Sequence, residues 1–169
     1  MPVESAAAKN MTTDLDVLAG IDAWQMLDSE GVMRGIASRV QWGPDSWRTF
    51  TIRRERPTGT PTELAKRLRA IDNPREGWLL PALTIQAYLT KPKPGGSLIE
   101  AAVVRTMDLY AYAQMNPCTK PRQNPADGVW FDWYRWDALR RVGCQVGTVV
   151  GTKQHLDDGL FPRPDGGPI

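Results

Sequence analysis

Between Ile21 and Gly151 the chain repeatedly alternates apolar and polar residues over short runs, then breaks at glycine, proline or aspartate. A period of two is the mark of a strand that buries one face, so the chain is constrained to short strands joined by turns. Ile21 to Leu27 alternates, Asp28 to Gly31 supplies turn chemistry, and Val32 to Trp42 returns as a longer strand, which makes a hairpin. After Gly43, Pro44 and Asp45, the run SWRTFTIRR puts Trp47, Thr49, Thr51 and Arg53 on one face and Arg48, Phe50, Ile52 and Arg54 on the other. Three consecutive strands of this kind are expected to form a meander.

The period then changes. Pro61 stands at a helix start, Thr60 or Thr62 can cap it, and Leu64, Leu68 and Ile71 share one face before Pro74 stops the helix. In ALTIQAYLT the apolar set Leu83, Ile85, Ala87 and Leu89 opposes Thr84, Gln86 and Tyr88. The turn residues from Lys91 to Gly96 return SLIEAAVVR as its antiparallel neighbour. AAVVRTMDLYAYA and WFDWYRWDALRRV echo each other: each is a strand closing on arginine (Arg105, Arg135) and then a short helix with an aspartate near its start (Asp108, Asp137). Gly143, Gly147 and Gly151 punctuate a last short strand, and Asn116 to Gly128 is the longest loop. With the end of an N-terminal helix at Asp14 to Leu18, this amounts to about seven strands and four helices. The expected fold is α/β, a single mixed β-sheet with flanking helices over residues 13–155, between an N-terminal tail (1–12) and an irregular C-terminal tail (156–169).

A chain of 169 residues, 41% hydrophobic and 24% charged, has the size and composition of one globular domain. No apolar run approaches the roughly 20 residues that span a bilayer, and the start has acids in place of an apolar signal core, so a cytoplasmic protein without membrane contact is expected. Cys118, Cys144 and the single His155 are too few and too scattered for a structural zinc or a Ser-His-Asp system; reduced thiols and a surface histidine are expected. The net charge is +2, but Arg34 to Arg69 holds nine basic residues against Asp45, Glu55 and Glu63. Such a stretch can hold phosphates through Arg48, Arg53, Arg54, Arg56 and Lys66, or it can be a solvated face paired along the Glu63 helix.

The GID of Gly20 to Asp22, the hairpin, the next strand and the Glu63 helix resemble the core of the PD-(D/E)xK superfamily, the restriction-endonuclease-like nucleases. That resemblance covers Asp14 to Arg69. It implies a restriction-endonuclease-like core and an acid, Asp22, that holds Mg²⁺ or Mn²⁺ beside Arg39 and Gln41, with Asp14 and Glu63 as further metal ligands. Such an ion polarises the scissile phosphate and activates water. The chain departs from the family pattern in its second motif: IASRVQWG has no ligand followed two residues on by lysine, and arginine cannot readily accept a proton.

Two further stretches could carry chemistry. In VWFDWYRW, Trp130, Asp132, Tyr134 and Trp136 face one way and Phe131, Trp133 and Arg135 the other; the run suits a sheet packed on both sides, and aromatics beside arginines also stack on unpaired bases. RPTGT, Arg56 to Thr60, could seat a phosphate at the next helix but lacks the glycines and lysine of a nucleotide-binding loop. Three functions follow as expectations: a metal-dependent nuclease acting on DNA; a catalytically inactive nucleic-acid-binding subunit, for DNA or RNA; and a protein-interaction subunit anchored by tryptophans.

Overall fold

β1 (Ala23–Leu27) and β2 (Val32–Trp42) pair antiparallel, with Leu27 opposite Val32 and Ala23 opposite Ile36, as expected for the first hairpin. The computed structural model describes residues 21–27, 32–73, 79–91 and 96–151. The expected helix end at Asp14 to Leu18, both tails, His155 and the Asp28 to Gly31 turn lie outside these residues.

β3 (Thr49–Glu55) does not continue the meander. The connection from β2 runs through Gly43 to Arg48, and Arg48 takes a left-handed backbone, φ 52°, that turns the chain out of the sheet. The bidentate grip of its guanidinium on Glu100, Nε to Oε2 at 2.8 Å, anchors that turn. β2 takes β4 (Leu83–Leu89) as its second neighbour, in parallel, from Ile36 opposite Leu83 to Trp42 opposite Leu89. Parallel neighbours need a long crossover, here made of β3 and helix α1 (Glu63–Asp72).

β5 (Leu98–Arg105) pairs antiparallel with β4, as expected, and β8 (Val146–Val150) pairs antiparallel with β5. The mixed five-stranded sheet has the order β1-β2-β4-β5-β8. β3 joins a second, antiparallel sheet with β7 (Trp130–Arg135) and the two-residue β6 (Arg122–Gln123), in the order β3-β7-β6. The fold is therefore α/β, but with two sheets in place of the single one expected.

α1, α2 (Thr106–Met115) and α3 (Trp136–Arg141) are the helices among the described residues. Leu64, Leu68 and Ile71 of α1 pack on the core as their shared face predicts. The echo is structural too. β4, β5 and α2 repeat as β3, β7 and α3: the first helical amide bonds to the residue before the neighbouring strand in both, Thr106 N to Ala82 O at 3.0 Å and Trp136 N to Arg48 O at 2.9 Å. One copy belongs to each sheet. Their buried faces meet in a shared core of Phe50, Tyr88, Leu109, Tyr110, Trp136 and Leu139, with Trp136 5.9 Å from Tyr88 and 6.1 Å from Phe50 between ring centroids.

The inward face of β4 is its polar one. Thr84, Gln86 and Tyr88 are buried, whereas Leu83, Ile85, Ala87 and Leu89 are half-buried on the outer side. The cause is the edge of β3, which arrives with unpaired backbone groups. Tyr88 Oη accepts from Thr49 N at 3.1 Å and donates to Thr49 O at 2.8 Å, while Gln86 Oε1 accepts from Thr51 N at 3.3 Å and from its hydroxyl at 3.0 Å. Side chains of one sheet thus complete the backbone of the other's edge strand, where an orphaned group would cost about 1 to 3 kcal/mol.

Candidate nucleic-acid interface

The second sheet stands beside the β2 side of the larger one and leaves a cleft of about 600 Å³ between them. Strand alternation fills its walls. Arg39 and Gln41 come from β2, Thr49 and Thr51 from β3, and Phe131, Trp133 and Arg135 from β7, with Trp47, Arg122, Gln123, Asn124 and Pro125 supplied by the loops and by β6. Among the described residues the lining holds three arginines, three aromatic rings and no carboxylate.

The cations are seated on the rings. Arg39 Cζ lies 5.1 Å and Arg53 Cζ 6.0 Å from the centroid of Phe131. Arg122 Cζ lies 5.0 Å from Trp47 and 5.8 Å from Trp133, so one guanidinium spans two tryptophans. Trp133 is oriented by its indole N–H, which donates to Lys120 O at 2.8 Å. Burial first, then the neighbouring guanidiniums of Arg39 and Arg56, pull Arg53 below the ordinary arginine range, and its buried Nε has no hydrogen-bond partner. Arginine stays charged even so, and an anion entering the cleft would relieve the crowding.

Glu63, at the first position of α1, fixes Arg39 by an ion pair and accepts from Tyr110 Oη at 3.2 Å with its other oxygen. Thr62 occupies the cap position of that helix, but its hydroxyl donates back to Arg54 O at 2.9 Å and ties the helix to the end of β3. Arg135 is shared with Asp137, Nε to Oδ1 at 2.8 Å.

Of the acids expected to hold a metal, the two that are described, Asp22 and Glu63, bond to different partners. Asp22 Oδ2 accepts from Ser38 N and, at 3.1 Å, from Ser38 Oγ. Ser38 and Arg39 are neighbours in a strand, so their side chains leave opposite faces, and Glu63 is bonded to the second of them. Asp14 lies outside the described residues, and among the described residues no three of histidine, cysteine, aspartate and glutamate come together.

Of the basic residues expected on phosphates, Arg53 is outside the lining but lies over Phe131, which belongs to it. Arg48 is paired with Glu100, and Arg54 leaves the other face of β3 toward Asp132, Nη1 to Oδ1 at 3.3 Å. Arg56 and Lys66 are half-buried outside the lining. Trp47, Arg122, Phe131, Trp133 and Arg135 belong to the site although the Arg34 to Arg69 charge count does not reach most of them. The usable signal was the alternation in VWFDWYRW, which already grouped Phe131, Trp133 and Arg135. No protein-family model matches the chain, and no curated protein or solved structure matches it either.

Proposed function

We propose that the protein binds nucleic acid without cutting it, holding phosphates on the arginines of the cleft and unpaired bases on its rings. The observation that carries this reading is the lining itself, in which arginines are seated on tryptophan and phenylalanine rings and, among the described residues, no carboxylate enters the lining, although Arg39 and Arg135 each keep an acidic partner outside it. Base stacking on aromatic rings contributes roughly 1 to 3 kcal/mol per base and tolerates any sequence, whereas a duplex keeps its bases stacked on each other. Fluorescence anisotropy with labelled single-stranded and duplex oligonucleotides in EDTA tests it. Single strands are expected to bind more tightly, and Trp133→Ala to weaken them at least 5-fold. Equal binding of both forms with no effect of the substitution overturns the reading.

Metal-dependent cleavage and a restriction-endonuclease-like core are a separate proposal, resting on the GID hairpin. Incubation with supercoiled and linear DNA plus Mg²⁺ or Mn²⁺ decides between the two. Intact DNA is expected; cleavage that disappears in Asp22→Ala would replace the binding reading with the catalytic one. A protein-interaction role draws support from the exposed Val40, Trp42 and Val149 of the larger sheet. Salt-insensitive association with a protein, without nucleic-acid retention at low salt, would select it. Among the described residues no helix is long and apolar enough to cross a membrane.

A further inference from the structure

A second hollow of about 440 Å³ adjoins the cleft around the β2 to β3 connection. The two share Val40, Gln41 and Trp47, and the lining of the hollow also includes Trp42 and Asp45. Their chemistry is opposite. Among the described residues the cleft is lined by arginines without an acid, whereas the hollow has no cation in its lining and one acid, Asp45. Gln41, which belongs to both linings, keeps its Oε1 buried without a hydrogen-bond partner. Trp42 and Trp47 keep 59% and 57% of their surface exposed, although tryptophan is a highly buried residue on average.

A phosphate is repelled by Asp45, but a nucleobase fits these groups. Its ring has a face for indole, and its ring or amino N–H groups can donate to a carboxylate or an amide oxygen. We infer that the hollow is a second base subsite, reached by a single strand that passes over Trp47 with its phosphates on the arginine side. The inference rests on the reading of the main cleft as a nucleic-acid site, and it narrows the ligand to a single strand of several nucleotides. A mononucleotide or a fully paired duplex would leave the hollow unused.

The test measures dissociation constants for fluorescein-labelled oligothymidylates of two, four and eight nucleotides, in EDTA at one salt concentration. The eight-mer is expected to bind at least 10-fold more tightly than the dimer. Trp42→Ala is expected to weaken the eight-mer about 5-fold or more while leaving the dimer unchanged, and Trp42→Phe to restore most of the loss. Trp133→Ala weakens both lengths. Trp42 is exposed, so the variants are expected to fold, and circular dichroism melts check it. The subsite is overturned if Trp42→Ala matches wild type at every length, or if it weakens an inorganic polyphosphate chain as much as the eight-mer. Those results leave the cleft reading intact, which instead falls if no oligonucleotide binds and Trp133→Ala is silent.

Discussion

Glu63 serves two partners from one carboxylate, and both would be stranded without it. Arg39 and Glu63 are 19% and 17% exposed, so the pair is largely withdrawn from water but not sealed. Breaking a fully buried pair costs roughly 3 to 5 kcal/mol, and the residual exposure lowers that. Urea denaturation of Glu63→Ala is expected to show a loss of about 2 to 4 kcal/mol. Two other acids carry opposite pH signatures. The Arg48 guanidinium, against a smaller effect of burial, holds the Glu100 carboxyl below its ordinary range. Its contribution is present above the unfolded value and is lost as pH falls through the folded one. Burial pushes Asp132 up despite Arg54, so its folded form keeps a proton longer, and acidification relieves a cost that is present at neutral pH. Thermal melts should therefore find Glu100→Gln less stable than wild type at pH 7, with the two converging only as the pH falls below the lowered value of the folded Glu100 carboxyl. Asp132→Asn should be more stable at pH 7, and a pH-independent difference in either variant would remove the assigned cause.

At the scale of elements, the seam between β3 and β4 decides how the sheets meet. Tyr88→Phe keeps the ring but leaves both the amide and the carbonyl of Thr49 without their partner. The expected cost is about 2 to 4 kcal/mol in urea, with faster hydrogen exchange at the Thr49 amide. The seam also marks where sequence reading reaches its limit. Alternation separated Thr84, Gln86 and Tyr88 from Leu83, Ile85, Ala87 and Leu89, and it separated Phe131, Trp133 and Arg135 from Asp132, Tyr134 and Trp136. It could not say which set turns inward, because that depends on a strand arriving side-on from 35 residues away. The first hairpin, the β4 to β5 return and the strand-helix echo were legible because each is local. The meander failed because the six residues after Trp42 carry a left-handed Arg48, which no β-pattern announces. The cleft was half legible: its rings stood out, but Arg39 and Trp47 meet them only through the second sheet.

For the whole molecule, the two strand-helix units give one scaffold two outer surfaces. The unit in the larger sheet shows Ile85, Ala87, Ala101 and Val103 where its counterpart shows Arg53, Phe131 and Trp133, with Thr51 buried beside them against Gln86. Only the second is cationic, so binding should depend on salt in proportion to the phosphates held there. With three phosphates engaged, the slope of log affinity against log salt is expected near about −2 for a single strand. A titration from low to physiological salt checks this, and a flat profile would mean that the arginines do not contact phosphate. The division into two units also has a temporal side. Arg54 meets Asp132 across 78 residues, so β3 emerges from the ribosome well before the strand that completes its sheet. At about 5 to 20 residues per second, the nascent chain carries an incomplete half-site for roughly 4 to 16 s. Until then Gln86 and Tyr88 can cover only the Thr49 and Thr51 edge of β3, so the polar stripe of β4 halves the exposed backbone during synthesis while the edge awaiting β7 stays open to a neighbouring polypeptide.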